Sequence, residues 1–83
     1  MTAPARVGVL GLARSGRAAA RLALASGSAV FASDLGDTEA VRDAAAEIER
    51  LGGEVETGGH SVARLARCDL VVVSPGIPPT APV

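Results

Sequence analysis

Apolar positions in this chain come in short blocks set apart by glycine, and the period of the pattern changes from block to block. Val7 to Leu12 is a brief apolar run and reads as a buried strand. An Ala-rich stretch follows, with Ser15 placed to cap a helix that reaches about Ser26 and stops at Gly27. Within it Ala19, Leu22, Ala23 and Ser26 recur at helical spacing and predict the buried face. Ala29 to Ser33 is a second strand, closed by Asp34 and a turn at Gly36. Asp37 or Thr38 then caps a second helix, in which Val41, Ala44, Ala45, Ile48 and Leu51 form an apolar stripe. Glu39, Arg42, Asp43, Glu47 and Arg50 fall mostly on the other side, and Gly52-Gly53 ends the helix. Glu54 to Thr57 alternates and is polar enough for a strand near an edge, broken by Gly58-Gly59. A short helix over Ser61 to Ala66 and a strongly apolar strand over Leu70 to Ser74 complete the pattern. Pro75-Gly76 ends that strand, and the proline-rich tail from Ile77 to Val83 reads as a loop.

Strands alternating with helices imply an α/β fold with a parallel sheet and right-handed crossovers. The expected architecture is Rossmann-like, three αβα layers around about four strands in the order 3-2-1-4. The first and fourth strands then meet at the switch point, and ligands bind beyond their carboxyl ends. Two loops meet there, Gly11 to Gly16 and Ser74 to Ile77.

Composition narrows the function. At 83 residues the chain holds one domain with a modest core. Phe31 is its only aromatic residue, so the core is built from Val, Leu, Ile and Ala, and no platform for stacking bases exists. The net charge of −1, with scattered arginines, gives no basic footprint for nucleic acid. Lysine is absent, which excludes a P-loop lysine and a Schiff-base lysine. Cys68 is alone and cannot form a disulfide within the chain. No apolar run is long enough to span a membrane, and the opening residues lack a signal-peptide pattern. The expectation is a cytoplasmic protein with no membrane partner.

Three motifs can carry chemistry. In Gly11-Leu12-Ala13-Arg14-Ser15-Gly16, between strand and helix, Gly11 permits a tight turn and Gly16 lets the helix approach the strand. The helix amino end presents free N–H groups and partial positive charge to a phosphate. Ala13 stands where the dinucleotide fingerprint has its middle Gly, which weakens a nicotinamide-cofactor reading. A turn of this kind can also bind nothing. Asp34 lies close to the spacing, roughly 20 residues on, at which an acid meets a ribose hydroxyl. It serves equally well as a turn or capping aspartate. In Ser74-Pro75-Gly76-Ile77-Pro78 the prolines stiffen the backbone and Gly76 lets N–H groups face a ligand; a plain strand terminator has the same composition. His60 has no partner at metal-ligand spacing and reads as a turn histidine, and Cys68 as a small buried residue. No metal site is expected.

Taken together, these motifs resemble the N-terminal domain of the D-glutamate-adding Mur ligases, the UDP-N-acetylmuramoyl-L-alanine:D-glutamate ligases. The resemblance runs through Val7 to Gly16, Asp34, and the string Asp69-Leu70-Val71-Val72-Val73-Ser74-Pro75-Gly76-Ile77-Pro78, and so covers nearly the whole chain, residues 1–83. It covers only the opening part of the family's full length. The resemblance implies a Rossmann-like unit that holds the UDP part of UDP-N-acetylmuramoyl-L-alanine for peptidoglycan synthesis. Carried onto matching positions, Arg14 and Ser15 would lie against the nucleotide and Asp34, with the backbone of Leu35, against the uracil. Ser74 and Gly76 would lie in the loop near the diphosphate, and Gly11, Ala13 and Gly16 would shape the phosphate turn. Two positions depart from the pattern. Ala13 replaces the middle Gly, and Gly36 stands where some members carry an Arg facing the diphosphate, leaving Arg14 as the candidate to compensate.

The resemblance also places the chemistry elsewhere. These ligases use ATP and magnesium to form an acyl phosphate, which the amine of D-glutamate attacks, and the groups responsible belong to central and C-terminal domains. The chain has no Gly-Lys-Ser/Thr string, so it is expected to be non-catalytic alone, without a cofactor of its own, monomeric, and short of the family's last strand in this domain. It is read as a fragment of a longer gene product. The competing readings are an NAD(P)-binding Rossmann domain of an oxidoreductase, which leaves Ala13 and Ser74 to Ile77 unexplained, and a Rossmann-like assembly module that binds nothing.

Overall fold

The chain was analysed as a computed structural model, which describes residues 4–73. Its order is β1 (Arg6–Leu10), α1 (Arg14–Ala25), β2 (Ala29–Asp34), α2 (Glu39–Arg50), β3 (Glu54–Thr57), α3 (Val62–Leu65) and β4 (Leu70–Val73). All strand pairs are parallel and the sheet order is β3-β2-β1-β4, the doubly wound order that the alternating sequence predicts. The register sets Gly8 beside Phe31 and Val71, and Val9 beside Ala32 and Val72.

The two faces of the sheet differ. Val7, Val9, Val30 and Ala32 pack with Ala20 of α1 and with Ala44 and Ile48 of α2, all nearly or fully buried. This is the main core, and its small side chains let two long helices lie close to the strands. The opposite face carries Gly8, Phe31 and Ser33 and is covered by the four-residue α3 and its flanks. Gly8 makes room for this cover: a Cβ would stand 3.0 Å from Leu65 Cδ2 and 3.1 Å from Cys68 Sγ, so those side chains would have to give way. At the sheet's β4 edge Leu70, Val71 and Val73 remain exposed, although β4 is the most apolar strand.

Both long helices end alike. The N–H of Gly27 donates to the carbonyl of Leu24 and that of Ser28 to Ala23; Gly52 and Gly53 repeat the pattern with Glu49 and Ile48. These are Schellman closures, and Gly27 and Gly52 take the required positive φ of 91° and 100°. Of the two caps the sequence offers, Thr38 rather than Asp37 caps α2, by accepting the N–H of Val41. Arg17 of α1 donates to Glu47 of α2 and locks the pair, and that hydrogen bond holds the Glu47 carboxyl below its usual pKa.

Four expectations change. The first strand stops at Leu10 because Gly11, at φ 93°, turns the chain. Ser15 does not cap α1; the cap position is Ala13, which offers no side-chain oxygen. The buried face of α1 runs through Gly16 and Ala20, with Ala23 and Leu24 packed on the core, whereas Leu22 is 70% exposed. Close contact of Gly16 with the Gly11 carbonyl fixes how the helix is rolled, and the sequence does not reveal that roll, because Leu22 and Leu24, two residues apart, mark nearly opposite faces. Leu51, predicted on the stripe of α2, lies past the helix end and is half exposed.

Candidate functional site

The carboxyl ends of β1 and β2 open onto one junction, and Asp34 organises it. Its Oδ2 accepts the N–H of Leu12 at 2.7 Å, and its Oδ1 accepts the N–H of Gly36 at 2.8 Å. Its backbone carbonyl accepts the N–H groups of Gly58 and Gly59. One residue therefore ties the turn after β1, the turn after β2 and the loop after β3. Of the two sequence readings of Asp34, these bonds show the turn aspartate. The bond to Gly36 is that of a turn aspartate, while a carboxylate with about four lone-pair sites keeps acceptor capacity after two N–H bonds.

The turn from Gly11 to Gly16 has the close approach that its glycines predict. The N–H of Gly11 donates to the carbonyl of Ser33 at 2.7 Å, pinning the turn to β2. A Cβ on Gly16 would stand 1.8 Å from the Gly11 carbonyl oxygen, so only glycine fits. Ala13 is exposed, with φ −66° and ψ 179°, an extended conformation open to any residue. Alanine at the middle position thus costs no backbone strain.

Arg14 and Ser15, both exposed, form the start of α1, and Arg17 is the first residue to close a helical bond, donating to Ala13. The amides of Arg14, Ser15 and Gly16 precede that bond and have no carbonyl of their own helix to pair with. No acidic residue sits in this first turn. A cation at a helix amino end opposes the macrodipole, by about 0.3–1 kcal/mol, and an anion bound there reverses the sign. Leu35, 69% exposed, lies beside the same junction and offers its backbone. Arg14, Ser15, Asp34 and Leu35 are thus brought to neighbouring turns at one end of the sheet. Ser74 and Gly76 lie outside the described residues.

Reading the sequence missed one contact. His60 Nδ1 and the hydroxyl of Ser33 share a hydrogen bond at 2.5 Å, and Ser33 is fully buried on β2, next to Asp34. No local signal marks the pair, because its members lie on elements that meet only in the folded sheet. His60→Ala should lower stability by about 1–2 kcal/mol, since it strands a buried hydroxyl. Urea denaturation checks this. Ser33→Ala in the same chain should recover part of the loss, whereas equal losses in both backgrounds would mean that the bond contributes nothing. Among the described residues no three His, Cys, Asp or Glu side chains gather to hold a metal ion, and no helix is long and apolar enough to cross a membrane.

Known proteins resemble the chain over most of its length. The chain is 48% identical over 75 residues to a UDP-N-acetylmuramoylalanine--D-glutamate ligase of Frankia casuarinae, covering 90% of the chain and 16% of that protein. To the protein of the same name from Chlorobium luteolum it is 44% identical over 78 residues, covering 94% of the chain and, again, 16% of the relative. The chain therefore spans only about a sixth of the length of these ligases. Among solved structures, a HOCl-induced flavoprotein disulfide reductase from Escherichia coli, in its Cu(II) complex, matches with TM-score 0.58 and 20% identity over 70% of the chain and 15% of that protein. That likeness concerns the fold alone. The family model described as the MurD N-terminal domain matches residues 6–83, and the chain belongs to that family.

Proposed function

We propose that this chain holds the UDP moiety of UDP-N-acetylmuramoyl-L-alanine at the junction organised by Asp34, as the substrate-binding unit of an ATP-dependent ligase that adds D-glutamate in peptidoglycan synthesis. The observation that carries the reading is the open amino end of α1, with unpaired amides and Arg14, set beside a carboxylate that braces both adjoining turns. Family membership and relatives named as D-glutamate ligases support it. In this reading the diphosphate lies over the amides of Arg14, Ser15 and Gly16, with the Ser15 hydroxyl and the Arg14 guanidinium as further donors. The uracil edge meets Asp34 and the backbone of Leu35, and Gly76 adds an N–H near the diphosphate. These groups bind and orient; none of them moves a proton or forms a bond.

ATP, magnesium and D-glutamate are assigned to domains beyond this chain. The absence of lysine from the chain supports that assignment. The unit is read as cytoplasmic and monomeric, with residues 1–83 forming one UDP-sugar-binding domain.

Calorimetric titration with UDP and, separately, with NAD tests the choice of ligand. Saturable UDP binding with NAD inert is expected. Tighter binding of NAD would return the chain to the oxidoreductase reading, which Ala13 in place of the middle Gly of the fingerprint and the family match both disfavour.

A further inference from the structure

A cavity of about 370 Å³ opens at the other end of the sheet, where β1, β2 and β3 begin. It lies on the thinly covered face, against the segment that follows α3. Three guanidinium groups line it, those of Arg6, Arg64 and Arg67, against one carboxylate, Glu54. Three cations to one anion leave the cleft positive on a chain whose total charge is −1.

The arginines are not equivalent. Arg64 donates to Glu54 at 2.6 Å, and its guanidinium lies 4.1 Å from the centroid of the Phe31 ring. Ion pair and ring together hold it in one orientation, so little entropy remains to be lost when its outward N–H groups meet a ligand. Arg6 and Arg67 have no ion-pair partner among the described residues. The nearby acid, Asp69, spends an oxygen on the backbone N–H of Arg6. Arg6 and Arg67 thus keep guanidinium N–H groups without a carboxylate partner among the described residues, and an anion lying between them would be attracted to both.

We propose that this cleft binds a small organic anion bearing a phosphate or paired carboxylates, gripped by Arg6 and Arg67 and oriented by Arg64, with Phe31 as the apolar wall. Both kinds of anion suit a guanidinium fork, which pairs with two oxygens at once. The cleft is separate from the junction at Asp34, and the proposal does not depend on UDP binding there.

The test is amide NMR of the 83-residue chain, titrated at constant ionic strength with pyrophosphate and with succinate, and with sodium chloride as control. Saturable shifts are expected at Arg6, Phe31, Arg64, Arg67 and Cys68 with at least one of the two anions. Response to pyrophosphate alone identifies a phosphate ligand, and response to both a general dianion site. Shifts at Gly11 to Gly16 report the other site and are read separately. Arg6→Gln and Arg67→Gln should each weaken the response at the cleft about tenfold while the spectrum stays folded, and Arg42→Gln on α2 should not. Shifts no larger than those with chloride would overturn the proposal, as would undiminished affinity in both arginine variants.

Discussion

Gly16→Ala should remove roughly 2–4 kcal/mol of stability, a large part of the ~4–12 kcal/mol expected for a domain of this size. Two effects oppose each other at this position. In a helix alanine is favoured over glycine by about 1 kcal/mol. Against that, the new Cβ would stand 1.8 Å from the Gly11 carbonyl oxygen and 2.9 Å from its carbon. Those are backbone atoms, pinned by the bond from Gly11 N–H to Ser33, so they cannot swing aside as a side chain would. Relief requires α1 to lift off β1, which opens the packing of Ala20 on Val9. The clash therefore outweighs the propensity gain. Urea denaturation of Gly16→Ala beside Gly59→Ala checks the argument. Nothing lies within 4 Å of a Cβ at Gly59, so that control should change stability by less than about 0.5 kcal/mol. If Gly16→Ala matched or exceeded the parent, the close approach of helix and turn would be wrong.

Asp34 is the second position where one substitution should have a large effect, and there stability and binding can be separated. Asp34→Ala leaves the N–H groups of Leu12 and Gly36 without their acceptor and should cost about 2–3 kcal/mol, at the low end for two charge-assisted bonds because the residue is only partly buried. Asp34→Asn keeps the shape and one good acceptor, so it should cost about half as much. The amide also turns a donor toward the junction and removes the charge. A folded Asp34→Asn chain should therefore bind UDP at least about tenfold more weakly, a loss of some 1.4 kcal/mol. Full UDP affinity in that variant would reduce Asp34 to a brace between loops with no share in binding.

How much of this was legible in the sequence depended on the kind of signal. The stripe of α2 is written in Val41 and Ile48, side chains large enough to mark a face, and Thr38 marks its start. The Gly11 and Gly16 pair was legible because its spacing states a steric requirement. Helix α1 was only half legible. Alanine fits either side of a helix, and the buried face was chosen by the contact of Gly16 with β1, which the periodicity of Ala19 and Leu22 cannot express. The site was legible as a location more than as a network. Asp34 could be placed after the second strand, but its bonds to Leu12 and Gly58 join residues far apart in the chain. The Ser33–His60 bond and the arginine cleft arise the same way, from parallel strands bringing distant positions into register.

The measurement that tests the central claim most directly is a two-dimensional amide NMR titration of the chain with UDP. The account predicts saturable shifts clustered on Gly11 to Gly16 and Asp34 to Gly36; any shifts at Arg6, Arg64 and Arg67 report the arginine cleft and are read separately. A well-dispersed spectrum in which UDP moves none of these amides, or moves them no more than NAD does, would contradict it.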